Sequence, residues 1–254
     1  MLLEEFDINK SAVINAFDMI QTIEGFPKVA VSCFSYVTFE RLLKKLNGVP
    51  ISSTGTANMK IPVYKVIYNG AEIALFMSCV GAAGCVAVLE DIYAMGVEKI
   101  VLFGTCGVLD GDIKDCSIII PNFAMRDEGT SYHYALASDI IQVNNKYQDE
   151  FIQILEQHNC TYTIGKVWTT DACYRETREK VNRRKDSGCI CVDMECSAVA
   201  ALADFRKKEV FQFFYAADNL DNEQWDARSL SNSAEILEKD RVAVLAMELA
   251  VKLL

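Results

Sequence analysis

The chain of 254 residues has no uniformly apolar, uncharged stretch of the roughly 20 residues that a membrane-crossing helix needs, so a membrane protein is not expected. It opens Met-Leu-Leu-Glu-Glu-Phe-Asp, acidic where a secretory signal is basic, and a cytoplasmic location is expected. It has no surplus of positive charge: 25 Lys and Arg against 35 Asp and Glu give a net charge of −10. Phosphate backbones are gripped by clustered Lys and Arg, so nucleic acid is not an expected partner. The short runs Arg41…Lys44-Lys45 and Arg183-Arg184-Lys185 read as solvated helix faces. Histidine is scarce, with only His133 and His158, and the ten cysteines include no Cys-x-x-Cys. No metal site is expected, and the cysteines read as small buried hydrophobes of a reducing compartment. Linkers, low-complexity stretches and internal repeats are also missing, which makes residues 1–254 one domain.

What is present is apolar, 51% by composition, and it alternates short apolar runs with helical patterns. That alternation predicts an α/β fold with a largely parallel sheet. Strands are expected at Lys28–Cys33, Val63–Tyr68, Glu72–Met77, Lys99–Phe103, Ser117–Ile120, Thr163–Trp168 and Val210–Asp218. Asn69-Gly70 signals a tight hairpin, and Pro121 is expected to stop the strand before it. Helices are expected over Thr38–Leu46, Ala83–Met95 (closed by Gly96), Tyr147–His158, Glu176–Arg184, Glu195–Phe205 and Glu235–Leu254.

Two acids stand out. Val192-Asp193-Met194-Glu195 runs a buried strand into a carboxylate and then into an Ala-rich helix, and a second strand ends on Asp218. Ligands of α/β sheets bind beyond the carboxyl ends of strands, so two such ends on neighbouring strands point to a site. Glu195 suits sugar hydroxyls and Asp218 suits the movement of a proton. Either acid alone also fits a helix N-terminus or cap. Gly104-Thr105-Cys106-Gly107 reads as a turn that brings backbone and a hydroxyl close to an anion, or as a plain strand-ending turn. The polar loop Arg126–Tyr134 includes His133, which is either a ligand contact or an ordinary structural residue. Trp168-Thr169-Thr170-Asp171, with Tyr174 and Arg175, offers aromatics to stack on a flat base; the alternative is a core Trp and a helix cap at Asp171.

In this order the pieces resemble the nucleoside phosphorylase/nucleosidase superfamily, whose members cleave N-glycosidic bonds. The resemblance rests on Gly96-Val-Glu-Lys-Ile-Val-Leu-Phe-Gly-Thr-Cys-Gly107, Arg126-Asp-Glu-Gly-Thr-Ser131, Thr170-Asp171 with Tyr174, and Val192-Asp-Met-Glu195, and runs from about Lys28 to the C-terminal helix. It implies a three-layer α/β sandwich around a mixed, partly barrel-like β-sheet. It implies that Glu195 accepts hydrogen bonds from the ribose 2′ and 3′ hydroxyls and that Met194 packs under the sugar. Gly104, Thr105 and Arg126 are implied for phosphate, and Thr170, Cys173, Tyr174 and Val192 for the base. Ala217-Asp218 stands where purine-specific members carry Ser-Asp, whose Asp protonates N7 of the leaving base. The resemblance further implies no cofactor beyond phosphate as co-substrate, and a homo-oligomer in which Tyr132-His133-Tyr134 and Ser52–Lys60 reach a neighbouring subunit.

The chain departs from the family on the phosphate side. Hexameric phosphorylases carry Gly-Asp-Pro-x-Arg after the first strand, where this chain reads Val31-Ser32-Cys33-Phe34-Ser35-Tyr36. They also carry Arg where this chain has Leu102, while their Gly-x-Gly before the third helix appears as Cys79-Val80-Gly81. The loop after Tyr174 lacks the Gln of pyrimidine-specific members. Purine nucleoside phosphorylase is therefore the leading expectation. A water-using nucleosidase, a uridine phosphorylase and a non-catalytic nucleoside-binding domain follow.

Overall fold

A computed structural model describes residues 2–230 and 234–254. The elements run α1 (Ala16–Met19), β1 (Val29–Cys33), α2 (Tyr36–Lys45), β2 (Val49–Thr56), β3 (Met59–Tyr68), β4 (Ala71–Met77) and α3 (Ala82–Met95). Then come β5 (Lys99–Val108), β6 (Ile118–Asp127), β7 (Ile140–Gln142), α4 (Gln148–Gln157), β8 (Tyr162–Thr170) and α5 (Arg178–Asp186). The chain closes with β9 (Cys189–Asp193), α6 (Cys196–Arg206), β10 (Glu209–Asn219) and α7 (Ile236–Lys252). Among the described residues, no helix is long and apolar enough to cross a membrane.

Among the described residues, ten strands join one mixed sheet in the order β10-β6-β8-β9-β5-β1-β4-β3-β2, with β7 on β6. A further pairing of β10 with β5 closes β10, β6, β8, β9 and β5 into a five-stranded ring, leaving β1 to β4 as an open wing. The central strands are apolar on both faces because both are covered: every residue of β1 is buried, and so are nine of eleven in β10. On one face α2, α4 and α7 pack over β1, β5 and β10 around Phe103, Phe151, Phe211 and Phe213. On the other, α3 and α6 pack around Leu89, Ile92, Val199 and Leu202. This is the three-layer α/β sandwich around a partly barrel-like sheet.

Turn chemistry follows the sequence where the signal is local. Asn69 and Gly70 both sit at positive φ, 49° and 81°, and β3 and β4 pair across them, as a two-residue hairpin requires. Three readings need correction. Gly104–Gly107 is not a turn: β5 continues through Val108. Its glycines serve close approach, since a Cβ on Gly104 would stand 2.8 Å from the Phe34 ring and one on Gly107 2.4 Å from Leu220. Pro121 does not end a strand: β6 runs on to Asp127, with a register shift between Pro121 and Phe123. Proline lacks the ladder donor and is tolerated at such a bulge. Finally, β9 and β10 are not neighbours, because β5 lies between them. The edge strand β2 and the short β7 have too little apolar pattern to be seen beforehand.

Candidate active site

Strand β5 brings the two acids together. It runs parallel to β10 but meets β9 head-on, overlapping it only at Gly107↔Val192 and Val108↔Cys191. Gly107 therefore pairs with Val192 on one side and with Asp218 on the other. The β10 register slips between Ala216 and Asp218, and this bulge re-aims the acid. Because Gly107 has no side chain, Asp218 Oδ1 can lie 3.2 Å from where its Cβ would be. A cavity of about 220 Å³ opens here, walled by Phe34, Val80, Thr105, Gly107, Cys173, Glu176, Val192, Met194, Glu195, Asp218, Leu220 and others.

At one end, the turn from β9 into α6 is held by Asp193, whose Oδ2 accepts the N–H groups of Glu195 at 2.9 Å and Cys196 at 2.6 Å. Thr169 Oγ1 donates to its Oδ1 at 2.7 Å and in turn accepts the Ser197 N–H at 3.2 Å. Asp193, not Glu195, thus performs the helix-capping task, and the Glu195 side chain is released toward the cavity. There Glu195 Oε1 accepts the N–H of Gly81, which caps α3 at φ 96°, a conformation that favours glycine. Glu195 is only 7% exposed. Burial first, then the Asp193 charge, pushes its carboxyl up to about 8. Burial likewise raises Asp193 to about 6, against the pull of its hydrogen bonds. Two carboxyls this close share their protons.

At the other end, Asp218 is 9% exposed and Trp225 Nε1–H donates to its Oδ2 at 2.8 Å. Burial raises its carboxyl above the ordinary range, while the Trp225 bond and the Arg228 charge oppose the rise. Thr105 and Met194 also line the cavity. The cavity thus combines apolar walls with Thr105 and four acids, Glu176, Asp193, Glu195 and Asp218, of which Glu195 and Asp218 come from strands on opposite sides of Gly107. Glu195 is anchored at a helix start, and burial raises both its carboxyl and that of Asp218. Such a site can hold a polyol by one end and protonate a leaving group at the other.

Of the residues singled out by sequence, Thr105, Cys173, Val192, Met194, Glu195 and Asp218 line this cavity. Gly104, Arg126, Thr170 and Tyr174 do not. The space beside Gly104 is filled by the Phe34 ring. The guanidinium of Arg126, 5% exposed, donates to Ser131 Oγ, the Leu136 carbonyl, Ser138 Oγ and the Ala135 carbonyl, and lies 4.1 Å from the Tyr132 ring. It clamps its own loop, away from the cavity wall. Thr170 Oγ1 accepts the Ala172 N–H, and Tyr174 is 98% exposed. Trp168 is a fully buried core residue whose indole donates to Asp127, and Asp171 accepts from Gly129 rather than capping a helix. His133 is exposed on a short helical turn. Sequence reasoning missed Glu176, taken as a helix start, and Trp225, whose only signal was its scarcity as one of two Trp in the chain.

A family model described as the phosphorylase superfamily matches residues 28–252, and the chain belongs to this family. The chain is 26% identical over 143 residues to a guanosine phosphorylase from Halorubrum lacusprofundi, a match spanning 55% of this chain and 59% of that protein. It is 24% identical over 169 residues to a DeoD-type purine nucleoside phosphorylase from Buchnera aphidicola, spanning 64% and 70%. A crystal structure of uridine phosphorylase from Vibrio fischeri superposes with a TM-score of 0.72 at 18% identity, covering 96% of this chain and 99% of that one. At that identity the superposition speaks for the fold.

Proposed function

We propose that this chain is a nucleoside phosphorylase for purine nucleosides, a pentosyltransferase that needs no cofactor and uses phosphate as co-substrate. The observation that carries this reading is the placement of Glu195 and Asp218 on opposite sides of Gly107 in one cavity. The similarity to a guanosine phosphorylase and a purine nucleoside phosphorylase supports the purine assignment. Glu195 accepts the ribose 2′ and 3′ hydroxyls and fixes the sugar, with Met194 beneath it. Val192 and Cys173 bound the base. As the glycosidic bond breaks, positive charge builds on the ribose and negative charge on the purine. Asp218 delivers its proton to N7, so the base leaves neutral, and burial raises its pKa toward the range this needs. Phosphate, held by Thr105, attacks C1′ and gives the sugar 1-phosphate. The same reading takes residues 1–254 as one catalytic domain, working in the cytoplasm in a homo-oligomer whose neighbouring copy completes the phosphate side.

A second reading, hydrolysis by water, is favoured by one observation: among the described residues, no Arg or Lys lines the cavity. One experiment separates the two. Purified protein is incubated with inosine, guanosine or adenosine, with and without phosphate, and free base and sugar phosphate are quantified. Phosphorolysis requires phosphate and yields the sugar phosphate in step with the base; equal base release without phosphate assigns the nucleophile to water. Asp218→Asn should cut turnover by roughly 10²- to 10⁴-fold. Wild-type rates in that variant would remove Asp218 from the mechanism.

A further inference from the structure

The motif Arg126-Asp-Glu-Gly-Thr-Ser131 holds one acid that the chemistry above leaves unused. Glu128 directly follows β6 and is 4% exposed. Its Oε2 accepts the Ser131 N–H at 2.9 Å, within the short helical turn Thr130–His133. Its Oε1 accepts the Ser197 hydroxyl at 2.8 Å, in the first turn of α6. From there the bonding runs on to the cavity. The Ser197 N–H donates to Thr169 Oγ1, which donates to Asp193, and Asp193 holds the N–H groups of Glu195 and Cys196. In the other direction, Ser131 Oγ accepts from Arg126, which clamps the loop as far as Ser138. Ser131, Thr169 and Ser197 are fully buried. Glu128 thus joins two pieces of chain remote in sequence: the polar loop after β6 and the turn that presents Glu195.

Hydrogen bonding alone does not account for a carboxylate here. Both donors to Glu128 are neutral, and burying an ionised carboxyl is costly. A Gln could accept the Ser131 N–H with its oxygen and donate to the Ser197 oxygen with its nitrogen. What Gln lacks is charge. The Glu128 charge acts on Asp193, and the Asp193 charge acts on Glu195. Three acids therefore stand in series, from the loop to the ribose end of the cavity. We propose that Glu128 is a positioning residue for Glu195: its hydrogen bonds fix the turn that presents this acid, and its negative charge is felt by the Asp193–Glu195 pair. The part played by Glu195 rests on the nucleoside reading above. Burial first raises both acids of the pair, and Glu128 adds to the rise at Asp193. Removing that charge favours the ionised Glu195 to which ribose hydroxyls donate. The other groups that face the pair stay in place: Asp171, and the thiols of Cys85 on α3, Cys191 on β9 and Cys196 on α6. Arg126 faces Glu128 itself.

The test is calorimetric binding of inosine without phosphate, at pH 6 and pH 9, to the wild type, Glu128→Gln and Ser197→Ala. At pH 6 Glu128→Gln should bind at least about threefold more tightly than the wild type, the effect of about half a pH unit in the titration of the pair. At pH 9 the two should match. A purely structural Glu128 would give weaker or equal binding at both pH values, and either result overturns the inference. Ser197→Ala keeps the charge and loses the tie, so it should bind roughly three- to tenfold more weakly at both pH values. Unchanged affinity in that variant also overturns the inference, and it decides the matter if Glu128→Gln does not fold. If the wild type binds no inosine at either pH, the nucleoside reading falls instead. Urea unfolding at pH 5 and pH 8.5 then tests Glu128: the wild type should lose stability as pH rises, and Glu128→Gln should lose less. Equal losses refute the role.

Discussion

Replacing Glu195 with Gln should remove activity and yet make the empty protein more stable in alkaline solution. The carboxyl lies buried beside Asp193, and its pKa rises from the ordinary 4.5 to about 8. Between those values the folded chain keeps a proton that the unfolded chain gives up. Stability therefore falls as pH rises through this window, by up to about 1.4 kcal/mol per pH unit. Below 4.5 both states hold the proton and no penalty exists; above 8 the loss is complete. Asp193 shares the titration, which spreads the effect, so the recoverable amount is roughly 2–4 kcal/mol. Gln does not ionise, and its oxygen can still accept the Gly81 N–H that Glu195 takes now. The assay is urea unfolding of both proteins at pH 5 and pH 8.5. The two should unfold at nearly the same urea concentration at pH 5, with the variant clearly ahead at pH 8.5. Parallel pH dependence in both would refute a buried, proton-holding Glu195. A stabilised but inactive variant would mark Glu195 as a group retained for chemistry at a cost to the fold.

Two further expectations follow from side-chain partners. Trp225→Phe removes the N–H that lowers Asp218, so the acid should hold its proton to higher pH and the alkaline limb of the kcat/KM profile should move upward; a limb that moves down or stays would separate Trp225 from the acid. Arg126→Ala strips donors from Ser131, Leu136 and Ser138 and should destabilise the protein by about 3 kcal/mol in urea, with no rise in KM for phosphate. A specific rise in that KM would return Arg126 to the anion site.

Local signals in the sequence proved dependable, and long-range ones did not. Runs such as Lys99–Phe103 and Val210–Asp218 are strands because both faces are covered, and apolar composition alone reports that. The Asn69-Gly70 hairpin and the Gly96 helix end need only their own backbone angles. Gly104 and Gly107 read as a turn because two glycines nearby usually make one. Their actual task is to admit Phe34, Leu220 and Asp218, residues remote in sequence. Arg126 looked free because its partners are mostly carbonyls and hydroxyls, which leave no mark in a charge pattern. Asp193 was passed over in favour of Glu195, since only the folded turn shows which acid caps the helix and which one is released. Glu176 was absorbed into a predicted helix that starts two residues later, at Arg178.

Strand β5 does more than connect the ring to the wing. Strand β9, which leads to Glu195, and strand β10, which holds Asp218, do not pair with each other; each is spaced from β5 by one sheet repeat of about 4.8 Å. Val192 and Asp218, paired to either side of Gly107, are thus held two strand widths apart by backbone hydrogen bonds, and Glu195 follows Val192 through the turn that Asp193 caps. Substitutions in the cavity wall leave this backbone spacing in place.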